Sequence, residues 1–348
     1  MGAARRSRRC RRVINGVTLA VLTLVAACSE QSPSTLRPGG PGARRIEGLW
    51  WVLLWCSVAV CVIVFVGVAL VLARRKRRGD VSQRNPLTFV VVAGAVVPFV
   101  VLAAVYGLNL RDMLALSRPE NAAESQTPLT VEVIGHQWWW EFRYPPGTGV
   151  VTANELHIPA STDVKLILRT DDVLHSFWVP QLMPKTDLIA GQTNTMWLRA
   201  DQPGDYRGQC AEYCGMQHAH MAFMVVAEPR AQFEAWLKWA GSPARTQTPA
   251  QQRGQQVFAQ MGCASCHTIR GTDAGGTVAP DLTTVGDRWS LGAGTLPNDP
   301  EHMREWIADP QRSKPGNAMP PQSVPATRMD DLIAYLRSLR QPEKGGAS

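Results

Sequence analysis

One short segment of the chain holds four side chains that are common ligands of soft metal ions. The segment is RGQCAEYCGMQHAHMAF, residues 207–223, and its candidate ligands are Cys210, Cys214, His218 and Met221. A structural zinc site favours four strong cysteine or histidine ligands and gains little from a thioether. A blue-copper site uses one cysteine, two histidines and a long axial methionine, so a single copper would leave one thiolate without a metal. Two copper ions bridged by both sulfur atoms would use every donor.

A bridged pair of copper ions needs a second histidine from elsewhere in the chain. His175 is the best candidate, because it ends a β run in DDVLHSFWVPQLMPKTD and its aromatic neighbours would exclude water. His220 lies two positions after His218, so it would point away from a metal that His218 and Met221 share. The other histidines are expected elsewhere. His136 and His157 are expected to form hydrogen bonds in the sheet, His267 belongs to a second motif, and His302 lies in a predicted helical domain.

A second motif, MGCASCHTIRG at residues 261–271, has the spacing Cys-x-x-Cys-His. In such motifs two thiols add across the vinyl groups of a haem and the adjacent histidine becomes an axial ligand of iron. The motif residues are Cys263, Cys266 and His267. Met319, on the proline-stiffened loop KPGNAMPP, is the expected sixth ligand, whereas Met303 and Met329 lie on predicted helices. A thioredoxin-like site would need a βαβ pattern, which this part of the sequence lacks.

The net charge of +8 is unevenly distributed along the 348 residues. Residues 1–84 contain 15 lysines and arginines and 3 acidic residues, a net charge of +12, so the remaining residues carry −4. The positive charges flank apolar segments, where they orient membrane helices rather than bind phosphates. Nucleic acid is therefore excluded as an expected partner, and the membrane is the expected one.

The N-terminus has the layout of an export signal. Residues 1–28 combine the charged RRSRRCRR, the apolar VINGVTLAVLTLVAA and small residues before Cys28, as secretory signals do. VAAC resembles a bacterial lipobox, so we expect Cys28 to be lipidated, with ordinary cleavage nearby as the alternative. Residues 29–48 are rich in Ser, Pro and Gly and predict a spacer. Cys56 and Cys61 lie in an apolar run and are expected to be small buried residues rather than disulfide partners.

Two apolar segments predict a transmembrane hairpin. Residues 49–73 and 86–110 contain no charged residue, and each exceeds the ~20 residues that cross ~30 Å of hydrocarbon as a helix. The loop 74–85 between them contains RRKRR and is expected on the cytoplasmic side. Both chain ends, with the large C-terminal part, are therefore expected on the outer side of the membrane.

Two further domains are predicted beyond the hairpin. The first is predicted over residues 120–240, where short alternating runs from about 128 to 228, separated by Gly, Pro, Asn and Asp, predict an antiparallel β-sandwich or barrel. A short helix is predicted at 229–240. A polar linker follows at 241–252, and residues 253–340 predict a small all-α domain. Its helical signals lie at 253–261, 300–308 and 328–340. In HQWWWEF, three consecutive tryptophans cannot all face inward in a strand, so at least one must meet solvent or a partner.

The motifs DVLHSFWVP, YRGQCAEYCGMQHAHM and GHQWWWEF resemble subunit II of the haem–copper cytochrome c oxidases over roughly residues 45–228. The resemblance implies a cupredoxin-like β domain with a binuclear copper centre, CuA. The ligands that it implies are the bridging thiolates of Cys210 and Cys214, the imidazoles of His175 and His218, and, as weak axial ligands, Met221 and the backbone carbonyl of Glu212.

The same resemblance implies roles beyond copper binding. The Glu212 carboxylate would reach a magnesium ion shared with subunit I, and Trp138 would be the aromatic residue that receives electrons. Without the resemblance, Trp138 would be interpreted as an aromatic residue of the core or of an interface. The family often has a glutamate seven residues before the proline of the second helix, near a proton path. Here Val91 takes that position, and residues 86–110 contain no acidic residue.

Residues 250–340 resemble class I cytochrome c. APDLTTVG matches the stretch whose proline, here Pro280, lines the pocket of the proximal histidine, and MDDLIAYLRSL matches the last helix. The two resemblances together imply an electron relay from a fused haem c through CuA to a catalytic subunit I, in a bacterial inner-membrane oxidase that reduces oxygen and pumps protons. Tethering the haem domain replaces diffusional encounter with a millimolar effective concentration.

The expected partners are subunits I and III of the oxidase and, as electron donor, an upstream cytochrome complex or a soluble cytochrome c. Two alternatives use the same residues. One is the electron-input subunit of a CuA-containing nitric oxide reductase. The other is a membrane-tethered copper-delivery protein, which would need exchangeable metal sites.

Overall fold

The structure is a computed structural model that describes residues 33–75, 86–117 and 128–341. The predicted signal segment, the lipidation site at Cys28 and most of the predicted cytoplasmic loop lie outside the described residues. The chain forms a helical hairpin, a β domain and a small C-terminal domain with four α-helices among its described residues.

Within the described residues, two helices are long and apolar enough to cross a membrane. Helix α1 spans Pro41–Arg75 and so includes residues 41–48, which the sequence predicts as spacer. The second apolar run forms α2 (Pro86–Val91), a π-helical turn (Val92–Val96) and α3 (Val97–Ser117). Cys61, expected to be buried, lies on the exposed surface of α1.

Pro98 accounts for the π-helical turn. Proline lacks an N–H group, and its ring clashes with the carbonyl four residues earlier. The helix widens there, and the Val97 N–H bonds to the carbonyl of Val92 instead of Ala93. Such single wide turns are a usual way for a helix to accommodate this clash.

The β domain is a sandwich of two five-stranded sheets, ordered β3-β2-β1-β5-β8 and β4-β10-β9-β6-β7. Its strands are β1 (Thr130–His136), β2 (Trp139–Arg143), β3 (Val151–Ala153), β4 (Glu155–Pro159), β5 (Val164–Thr170), β6 (His175–Trp178), β7 (Thr186–Leu188), β8 (Asn194–Leu198), β9 (Gly204–Cys210) and β10 (Ala222–Glu228). The predicted antiparallel sandwich is confirmed in outline, but β1 pairs with β5 and β4 with β10 in parallel. The sheets are therefore mixed.

The alternating apolar residues of both sheets meet between them. Trp140, Phe177 and Phe223 are buried and contact one another, with the Phe177 and Phe223 rings stacked at 4.4 Å between centroids. Aromatic pairs at this separation add specific contact energy to the burial of their area. This cluster lies directly beneath the segment that carries the candidate metal ligands, so it gives that segment a rigid base.

Helix α4 (Arg230–Ala240) closes the β domain. It buries Phe233 and Trp236, and the Trp236 ring stacks on His157 with centroids 3.9 Å apart. His157 also pairs with Glu228 at 3.1 Å, and His136 pairs with Glu141 at the same distance. Both histidines are thus hydrogen-bonded residues of the sheet, as expected from the sequence.

The C-terminal domain packs its first and last helices together. Its elements are α5 (Pro249–Gln260), β11 (Ser290–Leu291), β12 (Leu296–Pro297), α6 (Pro300–Ala308), α7 (Pro310–Ser313) and α8 (Ala326–Ser338). Helix α5 begins inside the predicted linker because Thr248 and Gln251 form a capping box that fixes its first turn. Arg253 on α5 pairs with Asp331 on α8 at 2.7 Å.

Both the hairpin and the C-terminal domain contact the β domain. The Ala43 N–H donates to the carbonyl of Leu182 at 2.9 Å, and Leu116, near the end of α3, packs against the β core. The start of α1 and the end of α3 therefore both lie at the end of the hairpin that contacts the β domain. On another face, the backbone N–H of Trp289 donates to Glu155 at 2.5 Å, which joins the C-terminal domain to β4.

Candidate metal centre and haem site

Three separate parts of one sheet bring the candidate copper ligands together. Cys210 ends β9, and His175 begins β6, the neighbouring strand. The loop from β9 to β10 carries Cys214, and a 3-10 turn in it (His218–His220) brings His218 back toward the strands. Met221 follows the turn immediately before β10. Only His218 of this set is half-buried, and the other four side chains are buried.

The candidate ligand atoms lie within a few ångströms of one another around the two sulfur atoms. The Sγ atoms of Cys210 and Cys214 are 3.8 Å apart. Cys210 Sγ lies 3.8 Å from His175 Nδ1 and 3.2 Å from the carbonyl oxygen of Glu212. Cys214 Sγ lies 3.7 Å from His218 Nδ1 and 3.8 Å from Met221 Sδ. Each thiol therefore has one imidazole and one weaker donor beside it.

This donor set fits two metal ions better than one. Two shared thiols, with one imidazole and one weak donor each side, give four donors to each of two metals. A single ion with four ligands would leave two of the six donors unused. Cysteine sulfur, imidazole and thioether together are also the ligand types that copper accepts most readily.

The two thiols affect each other's ionisation. The hydrogen bond from Cys214 lowers the pKa of Cys210, while that same contact and burial raise the pKa of Cys214. Two thiolates about 4 Å apart would repel by ~4 kcal/mol at an effective dielectric constant of ~20. Both thiols can be ionised together only where positive charge lies between them, and bound metal ions would supply it.

Asp172 fixes the orientation of His175. Its carboxylate lies 2.8 Å from His175 Nε2, so Nδ1 faces Cys210. Burial lowers the pKa of His175, and the hydrogen bonds with Asp172 and Cys210 raise it by more. Gly135 makes room for this ring, because a Cβ added there would lie 2.9 Å from it.

We expect Asp172→Asn to weaken copper binding about 10- to 100-fold, which is the usual effect of removing the carboxylate behind a ligand histidine. The matched control is Asp171→Asn, which removes a charge from the exposed neighbouring position. Competition with a copper chelator measures the difference. Equal copper loss from both variants would contradict the role of Asp172.

Trp138 joins the surface of the β domain to this cluster. Its indole Nε1 donates to the carbonyl of Cys214 at 3.0 Å, and the Gln137 amide donates to the same carbonyl at 2.8 Å. Trp138 lies in the turn between β1 and β2 and is 9 % exposed. Trp140 is buried, and Trp139 is the half-buried one of the three, stacked on His136.

The Glu212 side chain points away from the thiols. Its carboxylate pairs with the ammonium of Lys185 at 3.0 Å, on the exposed side of the loop. The backbone carbonyl and the carboxylate of Glu212 therefore face different neighbours. A magnesium ion bound by this carboxylate would have to displace the ammonium of Lys185 or share the carboxylate with it.

The C-terminal domain places the Cys-x-x-Cys-His motif after α5, in a 3-10 turn (Cys263–Ser265). The Nδ1 atom of His267 lies 2.8 Å from the carbonyl of Pro280, so Nε2 is left to bind iron. Burial lowers the pKa of His267, and the neutral imidazole is the form that ligates a metal.

Met319 lies on a loop whose backbone is held by polar side chains. The Gln311 amide donates to the carbonyls of Asn317 and Met319 at 2.8 and 2.9 Å, and the Met319 N–H donates to Asn317 Oδ1. Met319 itself is half-buried, whereas the alternatives Met303 and Met329 are buried in the helical core.

Two buried donors of this domain lack a partner among the described residues, namely Arg288 Nε and the Tyr335 hydroxyl. Burial without an acceptor is costly. Arg288 also donates through Nη2 to the carbonyl of Asp281, next to the residue that orients His267. A haem, whose propionates are strong acceptors, would suit a guanidinium with an unpaired Nε beside the proximal histidine.

Both domains that carry these candidate sites match known protein families. Residues 148–228 match the family described as cytochrome c oxidase subunit II, periplasmic domain, and residues 251–340 match the cytochrome c family. The chain is 36 % identical to cytochrome c oxidase subunit 2 of Alkalihalophilus pseudofirmus, over 92 % of this chain and 95 % of that one. The chain belongs to the cytochrome c oxidase subunit 2 family.

Two more proteins are similar to this family member. Cytochrome c oxidase subunit 2 of Bacillus sp. strain PS3 is 32 % identical over 91 % of this chain and 94 % of that one. A solved structure of the periplasmic domain of subunit II of cytochrome oxidase from Bradyrhizobium japonicum is 27 % identical and covers 33 % of this chain and 95 % of its own, with a TM-score of 0.32. The two matching families imply copper in the β domain and haem in the C-terminal domain.

Sequence reasoning missed three residues that support these sites. Asp172 stands three positions before His175, and that spacing was an available signal. Gln137 belongs to the motif HQW, but no sequence spacing relates it to Cys214, whose carbonyl it contacts. Lys314 opens the loop KPGNAMPP, and only its position in the fold reveals its contacts.

Proposed function

We propose that this chain relays single electrons from its own haem c, through a binuclear copper centre, to a catalytic subunit that reduces oxygen in the membrane. The observation that carries the proposal is the convergence of two thiols, two imidazoles, a thioether and a carbonyl on one small volume. The residues proposed to hold the copper ions are His175, Cys210, Glu212 (through its carbonyl), Cys214, His218 and Met221.

The haem would be held by the C-terminal domain. We assign covalent attachment to Cys263 and Cys266, and axial ligation to His267 and Met319. When bound, haem and copper supply one-electron chemistry that breaks no bond. The role of the protein is then to hold the ligands still and to exclude water, which the buried sheet ends and the aromatic cluster beneath them do.

Trp138 is proposed to receive electrons for the copper centre, since its indole N–H bonds to the carbonyl of Cys214. The Glu212 carboxylate is proposed to bind magnesium at a surface shared with subunit I. Subunits I and III are the proposed partners in the membrane, and a cytochrome complex or soluble cytochrome c is the proposed donor.

The membrane arrangement supports a relay on the outer side. The two candidate membrane helices leave their outer ends beside the β domain. With the arginine-rich loop in the cytoplasm, both termini and both redox domains would lie in the periplasm. The description of the family matched by residues 148–228 as a periplasmic domain supports the outer side for the β domain.

The test is metal and haem analysis of the full chain purified with its membrane partners. In addition to the haem and copper of the catalytic subunit, we expect two copper ions and one covalently attached haem per chain, with a mixed-valence paramagnetic signal from one electron shared by two copper ions. One copper per chain, or no such signal, would contradict the relay. Copper that a chelator removes readily would instead favour copper delivery. Uptake of nitric oxide rather than oxygen by the complex would favour the nitric oxide reductase.

A further inference from the structure

A buried lysine lies between the two redox domains. Lys314 belongs to the C-terminal domain, on the loop that carries Met319, and is 2 % exposed. Its Nζ donates to the carbonyl of Trp138 at 2.8 Å, of His220 at 2.6 Å and of Gly292 at 2.7 Å. Two of these carbonyls belong to the β domain, so one side chain ties the two domains together.

The geometry suits a charged Lys314. An ammonium group has three N–H donors, and three carbonyls accept from this one. The neutral amine has two, so it could donate to only two of the three carbonyls at once. Burial lowers the pKa of Lys314 to about 7, and the three carbonyls offset part of the cost of burying the charged form.

Other contacts extend the same interface on both sides of Lys314. The Gln217 amide donates to the carbonyl of Pro315 at 2.8 Å. The Ala222 N–H donates to the carbonyl of Ala293 at 2.9 Å. Gly294 allows this approach, because a Cβ added there would lie 2.9 Å from the Ala222 Cβ. The interface therefore reaches the strand that follows the copper ligands.

The interface covers Trp138, the residue proposed to receive electrons. A Cβ added to Gly316 would lie 3.6 Å from the Trp138 indole, which is ordinary contact distance. The backbone of the loop that holds Met319 thus lies over the indole, and Trp138 is nearly buried. A separate electron-carrier protein could not reach this indole without displacing the fused domain.

We propose that Lys314 is a positioning residue that holds the fused haem domain against Trp138, so that electrons enter the copper centre from the docked haem domain. The proposal rests on the proposed function and adds to it that the domain transfers electrons without leaving its docked position. In that step ferrous haem is oxidised and the copper pair is reduced by one electron. An external donor would then reduce the haem domain rather than Trp138.

The test compares Lys314→Met with the wild-type full chain in its purified complex. Methionine keeps the length of the side chain but cannot donate. The matched control is Lys238→Met, an exposed lysine on α4. Flash photoreduction of haem c gives the rate of electron transfer to copper, measured at increasing solvent viscosity. Hydrogen exchange of residues 136–140 and 216–222, with protease cleavage of the linker 241–248, reports docking independently of electron transfer.

For the wild type and Lys238→Met we expect a fast rate that does not depend on viscosity. Lys314→Met should react at least about tenfold more slowly, because three charge-assisted hydrogen bonds hold the docked state. Its rate should fall with viscosity, and its exchange and linker cleavage should rise. Unchanged rate and exchange in Lys314→Met would overturn the proposal.

Two spectra separate this proposal from the proposed function. Lys314→Met should keep the low-spin haem spectrum and the mixed-valence copper signal of the wild type. Loss of methionine ligation in this variant would overturn the positioning role, since Lys314 would then support the haem loop itself. Absence of the copper signal from the wild type would instead contradict the relay, whatever the docking measurements show.

Discussion

Cys214→Ser is expected to abolish the mixed-valence copper signal and to lower electron transfer from haem c to the catalytic subunit by more than about 100-fold. The loss should exceed the 10- to 100-fold effect of removing a residue that only orients a ligand, because Cys214 is a proposed ligand itself. Its sulfur lies within 3.8 Å of three other candidate ligand atoms. A serine hydroxyl remains protonated and is a poor ligand for copper, so both metal positions would lose a shared donor.

The measurement is copper content together with the paramagnetic spectrum of the purified complex. The matched control is Cys61→Ser, which makes the same change on the exposed surface of α1. That variant should keep two copper ions and full activity. Haem content should be equal in both variants, since the haem site lies in a different domain. A Cys214→Ser protein that still showed the mixed-valence signal would exclude the bridging role of this residue.

The sequence allowed much of the candidate metal centre to be predicted because its ligands are close together in the chain. The interval from Cys214 to His218 spans one short turn, so local geometry restricts which side chains can meet. The choice of His218 over His220 also depended on spacing alone. In the structure His218 faces Cys214, and His220 is exposed and hydrogen-bonded to Gln217.

The strands that position these ligands were harder to predict. Strands β6 and β9 hold His175 and Cys210, yet HSFW is only four residues long and GDYRGQC is mostly polar. Neither run shows the alternation that identifies a strand from sequence. They become strands because neighbouring strands supply hydrogen bonds and the aromatic cluster covers them. Tertiary contact, rather than intrinsic preference, determines strands of this kind.

Contacts between domains lie beyond any local pattern. Lys314 is 176 positions from Trp138 in the chain, and its sequence context shows only a proline-rich loop. The parallel pairing of β1 with β5 is similar, because register follows from packing of whole sheets. The helix boundaries were better determined where caps exist, as at Asp299, whose side chain accepts from the His302 N–H at the start of α6.

Met319→Leu is expected to remove the sixth haem ligand while leaving the haem covalently attached. Leucine has nearly the volume of methionine, so the change should cost less than about 1.5 kcal/mol in stability. The loss of the thioether should convert the haem to a high-spin form. The reduction potential should fall by roughly 100 mV or more, within the ~0.8 V range that axial ligands span. The driving force for electron transfer from haem c to copper would change with this potential.

The matched control is Met303→Leu, the same substitution at a buried position on α6. It should keep the low-spin spectrum and potential, since a core methionine contributes packing and no ligand. The loop of Met319 should keep its shape in the first variant, because Gln311 and Asn317 bond to its backbone and not to its side chain. A spectral change in Met303→Leu with none in Met319→Leu would move the sixth ligand to α6. The haem would then face the helical core. The loop that contains Lys314 and contacts Trp138 would carry no iron ligand.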